Sequence, residues 1–106
     1  QFQPYLDRDG GHCYRCGTTE GLVPQHRVNR GMGGRPGLNV PSNIITFCGQ
    51  CNGLIESNAE AARNARQHGW KMLADEARYL LVRPVYDREA QTWFFLNDQY
   101  GRTAVG

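Results

Sequence analysis

Two identical cysteine pairs, Cys13-Tyr14-Arg15-Cys16 and Cys48-Gly49-Gln50-Cys51, constrain this chain more than any other feature. Two residues between thiols let a tight turn, or one turn of helix, aim both sulfurs at a single point about 2.3 Å away, the length of a zinc–thiolate bond. Gly17 and Gly49 stand beside the pairs, where such turns need them. A chain of 106 residues with 13 glycines and 5 prolines buries too little apolar surface to be comfortably stable without a staple. Tying residues 13–16 to residues 48–51 makes everything between them one constrained loop, and metal affinity becomes folding free energy. The alternative is a disulfide framework in a secreted protein. Residues 1–7 show no basic stretch leading into an apolar run, so zinc is the expectation. Four thiolates fill every position around the ion, so it is expected to be structural and any chemistry lies elsewhere.

The length allows one small domain, or one domain with a tail. The longest apolar runs, residues 44–48, 79–82 and 93–96, fall far short of the roughly 18 residues of a membrane span, so no membrane partner is expected. Four thiolates and one zinc ion would bring the formal charge of +2 to about 0, so global charge predicts no partner. Local charge does. Residues 21–55 contain no Asp or Glu, yet they hold His26, Arg27, Arg30 and Arg35 among Gly31, Gly33, Gly34 and Gly37. Arginines with glycines that admit close backbone approach suit a phosphate chain, although a merely solvated loop has the same composition.

Along the chain, residues 1–11 are polar and expected to be loose, although Phe2, Tyr5 and Leu6 could pack on the domain. Residues 21–26 read as a short strand confined to an edge by Pro24, residues 27–42 as a long loop, and the β-branched run 43–47 as a second strand. Residues 49–56 can form a short helix. Ser57-Asn58-Ala59-Glu60 reads as a capping box for a helix running to His68 and stopped by Gly69. Residues 79–86 and 92–96 then look like strands of a hairpin joined by a turn at residues 87–91. His12 is expected at the surface and His68 at a helix end, while the Trp93-Phe94-Phe95 run reads as core-forming.

Between the cysteine pairs stand Gln25-His26-Arg27-Val28-Asn29-Arg30-Gly31-Met32-Gly33-Gly34, and then Asn43-Ile44-Ile45-Thr46-Phe47-Cys48-Gly49-Gln50-Cys51-Asn52. Strand, loop, strand and helix with these positions resemble the HNH endonuclease family, and phage-encoded members in particular, over residues 13–70. The resemblance implies an α+β fold: a small zinc-stapled ββα-metal (His-Me finger) domain at residues 13–70. Residues 1–12 become a tail and residues 71–106 a C-terminal β-hairpin extension packed on the domain. It also implies metal-dependent hydrolysis of DNA phosphodiester bonds, leaving 5′-phosphate and 3′-hydroxyl, in duplex or branched DNA and with low sequence specificity. His26 would be the general base, Asn43 would tie down the loop that orients it, and Arg27, Arg30 and Arg35 would grip phosphates.

At the cation site this chain departs from the family pattern. An acid or histidine usually precedes the base and a histidine follows the last cysteine, but here these positions are Gln25 and Asn52. Both are neutral oxygen donors suited to Mg²⁺ or Mn²⁺, and Glu56, one helical turn after Asn52, would restore negative charge. A helix-start Asn52 and a solvent-facing Glu56 are the plain alternative. A monomer would nick and a dimer would cut both strands, in the cytoplasm, which is the host's if the chain is phage-encoded. Two other functions stay open: a zinc-stabilised DNA-binding module with little cleavage, and an adaptor docking on a phage packaging or replication protein.

Overall fold

The computed structural model describes residues 1–29 and 37–106. Within them the fold is α+β, with short helices around two small antiparallel sheets. The first sheet is a hairpin. Strand β1 (Leu22–His26) runs antiparallel to β2 (Ile44–Cys48), with Leu22 opposite Cys48 and His26 opposite Ile44. Pro24 is tolerated because a two-stranded sheet consists of edges, where a missing N–H breaks no ladder. All five residues of β2 are buried, since the chain turns at Cys48 into α2 (Gly49–Ser57) and a further helix lies against the strand. The main core gathers Ile45 and Phe47 from β2, Ile55 from α2, and Trp70, Val85 and Leu96 from the C-terminal half.

That further helix corrects an expectation. Residues 1–12 are not a loose tail: Gln3–Asp9 form α1, which ends at Gly10 in a left-handed conformation (φ 79°). Short polar sequences rarely hold a helix by themselves. This one is bolted down by Arg8, which donates to the Ile44 and Pro41 carbonyls at 2.6 and 2.9 Å. The fully buried Asp9 accepts from Arg8, from the Tyr14 hydroxyl at 2.6 Å, and from the amide and hydroxyl of Thr46.

Helix α3 (Ala59–Gln67) lies where the sequence places it, but its cap is shifted by one residue. Asn58 Oδ1 accepts from the Ala61 amide at 2.9 Å, while the Ser57 hydroxyl donates back to the Gly53 carbonyl within α2. Gly69 follows α3 at φ 74°, and a Cβ there would run into the Pro84 carbonyl. Only glycine lets the end of α3 approach the second sheet this closely. There Tyr86 N donates to the His68 carbonyl, and Trp70 Nε1 to the Tyr86 carbonyl at 2.6 Å.

The second sheet contains β3 (Val85–Asp87), β4 (Thr92–Leu96) and β5 (Arg102–Ala104) in that order, all antiparallel. A third strand therefore joins the expected hairpin. The long strand expected at residues 79–86 shrinks to Val85–Asp87, because Ala74–Tyr79 wind into a 3₁₀ helix held by Glu76. The Glu76 carboxylate accepts from the Leu73 amide and from Arg83. Of the apolar run, Leu80 is buried while Leu81 and Val82 are exposed.

His12, expected at the surface, has a side chain only 13 % exposed. Its Nε2 lies 2.8 Å from both oxygens of the buried Asp87, which also accepts from Arg102 Nη1 at 2.8 Å. Among the described residues no helix is long and apolar enough to cross a membrane.

Candidate metal centre and the end of the hairpin

The two cysteine pairs meet. Cys13 and Cys16 sit on a tight knuckle closed by Gly17 N donating to the Cys13 carbonyl at 2.9 Å, with Gly17 at φ 79°. Cys48 ends β2 and caps α2, its sulfur accepting from the Cys51 amide at 3.3 Å. The four sulfurs lie within 4.8 Å of one another and none is in a disulfide. Cys16 and Cys48 Sγ are 3.7 Å apart, close to the edge of about 3.8 Å of a tetrahedron with zinc–thiolate bonds. The cluster can hold a metal ion such as zinc, and the molecule has the make-up of a zinc-stapled domain.

Burial pushes the Cys13 thiol up and the Cys51 thiol up to about 12. At Cys48 burial also acts upward, but the Cys51 amide and the neighbouring thiols outweigh it and leave this thiol below its usual range. An incoming ion must displace thiol protons, so its affinity falls with acidity. Arg15 Nη1 donates to Cys51 Sγ at 3.4 Å, adding positive charge beside the sulfurs.

At the far end of the hairpin, Gln25 and Asn52 come together. Gln25 is buried, its Nε2 donating to the His26 carbonyl and its Oε1 accepting from Asn52 Nδ2 at 2.6 Å. Among the described residues Asn52 Oδ1 has no hydrogen-bond partner. Glu56 does not join them: its carboxylate accepts from Lys71 Nζ at 2.8 Å, and the same ammonium reaches Asn29 Oδ1 at 3.1 Å. The expected donor set is thus assembled only in part.

Asn43 is fully buried and clamps both feet of the loop. Its Oδ1 accepts from Val28 N at 2.8 Å, and its Nδ2 donates to the Val28 and Leu38 carbonyls at 3.0 and 2.9 Å. His26, the last residue of β1, is half-buried with its Nε2 2.9 Å from Asn39 Oδ1. A carboxamide oxygen only accepts, so in this contact Nε2 is the donor. Sequence reasoning missed Asn39, whose place after Gly37 marks it as an ordinary turn former.

Two expectations about the site change. Consecutive strand residues send their side chains to opposite faces, so His26 departs on the face away from Gln25 and Asn52 rather than meeting them in one cluster. Arg27 is not a phosphate contact. It is fully buried, donating to the Gly69, Ser42, Leu80 and Arg83 carbonyls at 2.9, 3.0, 3.3 and 2.7 Å. Burial pushes its guanidinium down to about 10, and the nearby Arg83 and Arg8 act the same way. A guanidinium sealed from water and occupied by carbonyls has nothing to offer a ligand. Arg30 and Arg35 lie outside the described residues.

No family model, curated protein or solved structure matches the chain.

Proposed function

We propose that this chain is a metal-dependent endonuclease of the HNH kind, which hydrolyses DNA phosphodiester bonds on a domain stapled by zinc at Cys13, Cys16, Cys48 and Cys51. The observation that carries this reading is His26 held through Nε2 by Asn39 at the end of a strand whose preceding residue, Gln25, holds Asn52. An imidazole fixed at one nitrogen presents the other as a base at neutral pH. In the proposed reaction His26 Nδ1 takes a proton from water and the water oxygen attacks phosphorus. The bond from phosphorus to the 3′-oxygen breaks, and that oxygen leaves as an alkoxide that takes a proton from solvent water, so the products are 5′-phosphate and 3′-hydroxyl. A phosphodiester laid across the end of β1 would have His26 on one side and the Gln25–Asn52 pair on the other.

The residues present fit a catalytic cation in part. Asn52 Oδ1 is a hard donor suited to Mg²⁺ or Mn²⁺, Gln25 Oε1 is engaged by Asn52, and Glu56 reaches such an ion only by leaving Lys71. Bound there, the cation would neutralise charge developing on the leaving oxygen. With Arg27 buried, phosphate contacts fall to Arg30 and Arg35, which are too few for strong sequence choice.

A second reading is favoured by one observation, the Glu56–Lys71 pair beside two neutral amides. A site so poor in free negative charge suits a DNA-binding module with little cleavage.

The test is nicking of supercoiled plasmid by the purified chain in Mg²⁺, Mn²⁺ or Ni²⁺, beside His26→Ala matched for zinc content and circular dichroism. Wild type should nick, and His26→Ala should be slower by at least about 100-fold. Equal rates would reveal a contaminating nuclease and remove His26 from its role. DNA binding without cleavage would favour the module.

A further inference from the structure

On the His26 face of the hairpin, away from Gln25 and Asn52, lies a cleft of about 370 Å³. Its lining combines Pro24 and Ile44 of the hairpin with three aromatic rings, Phe2 and Tyr5 from the N-terminal segment and Tyr100 from the turn before β5. Tyr5 forms the floor at 6 % exposure, packed edge-on against Tyr100 at 5.3 Å and 70°. Tyr100 keeps 46 % of its surface exposed. Its backbone sits at φ 60°, a left-handed conformation that aromatic residues rarely adopt. The turn enforces it, because Asn97 Oδ1 accepts from the Gln99 and Gly101 amides at 2.8 and 2.9 Å. A strained residue that carries an exposed ring is a pointer to function.

At the polar margin of the cleft stand Asn39 and His26. Flat aromatic surface edged by a carboxamide matches a flat heterocycle with donors and acceptors on its rim. Nucleobases have that form, and proteins bind unpaired ones by stacking on aromatics and hydrogen-bonding the exposed edge. A base inside a duplex offers neither, since its faces are stacked and its edge is paired.

We infer that this cleft is a subsite for one unpaired nucleobase beside the scissile linkage, so that the substrate is forked, bulged or single-stranded DNA rather than fully paired duplex. His26 belongs both to the cleft and to the proposed catalytic site, which places the neighbouring base of an attacked phosphate at the cleft mouth. The inference rests on the nuclease reading of His26, but its test reads binding, with cleavage measured in parallel.

The experiment is fluorescence anisotropy of fluorescein-labelled single-stranded, forked and blunt-duplex oligonucleotides of one sequence, at one fixed salt concentration. Wild type should bind the first two at least about tenfold more tightly than the blunt duplex. Tyr100→Gly suits the left-handed backbone and removes the ring, so it should lose on the order of tenfold on forked and single-stranded DNA and nothing on the duplex. Phe2→Ala removes a second ring without touching the turn and should act in the same direction, while Tyr100→Trp should bind like wild type. Equal affinity for all three DNAs, no DNA binding, or a Tyr100→Gly loss spread evenly over all three would overturn the subsite. Base-selective binding without any cleavage would sink the nuclease reading and leave the subsite standing.

Discussion

Asn39 Oδ1 sits 2.9 Å from His26 Nε2, so a loop residue 13 positions away holds one nitrogen of the imidazole in place. If His26 is the base, as proposed, Asn39 is a positioning residue, since it touches His26.

Replacing Asn39 by Ala frees the ring to turn and to change tautomer. Turnover in the plasmid assay should fall by about 10- to 100-fold with little change in KM, while the melting temperature stays close to wild type. A change confined to KM would mean that Asn39 contacts DNA instead.

Lys71 competes with any cation for the Glu56 carboxylate. The pair is partly exposed, so breaking it should cost at most about 1 kcal/mol of stability. Lys71→Met should therefore leave the fold intact and lower the Mn²⁺ concentration that gives half-maximal nicking. The double change with Glu56→Gln should cancel that gain. An unchanged Mn²⁺ dependence in Lys71→Met would remove Glu56 from the cation site.

Arg27 acts as a rivet. Its removal leaves the carbonyls of Ser42, Gly69, Leu80 and Arg83 without their donor inside the protein. Arg27→Ala should destabilise by roughly 3 kcal/mol or more in urea unfolding. Arg27→Lys should rescue little of this, because a point ammonium cannot span carbonyls set around a planar fork. Were Arg27→Ala to keep full stability and lose only DNA affinity, its structural assignment would be wrong.

Removal of metal should unfold the chain rather than merely inactivate it. A strong zinc chelator, or Cys48→Ser, should abolish the cooperative thermal transition and the near-ultraviolet signal of Trp70, and added zinc should restore both after chelation. A transition that persists without metal would show that the core carries the fold unaided.

The hairpin and α2 were readable because their signals are local: a β-branched run, a proline at an edge, and cysteines at fixed spacing. Helix α3 was readable for the same reason, although its cap fell on Asn58 because Ser57 bonds back into α2. What escaped depends on distant partners. Arg27 beside a histidine looks like a phosphate grip until carbonyls from residues 42, 69, 80 and 83 close around it. The N-terminal helix exists because Asp9 finds Tyr14 and Thr46, and nothing in a polar heptad announces that. Asn39 looks like any turn residue, and the apolar stretch 79–82 promised a strand where a 3₁₀ helix ends at Tyr79 and turns follow. In the candidate site the spacing brought Gln25 to Asn52 and Asn43 to its loop, but strand alternation turned His26 the other way.

Asp9, Tyr14, Arg102, Asp87 and His12 form one unbroken chain of contacts, from the Tyr14 hydroxyl on Asp9 to Arg102 shared between that hydroxyl and Asp87. Like a buckle, it fastens the opening and closing stretches of the polypeptide to each other across the metal knuckle. Trimming either stretch in search of a minimal version would therefore release the other, and the walls of the aromatic cleft, one from each stretch, would part together.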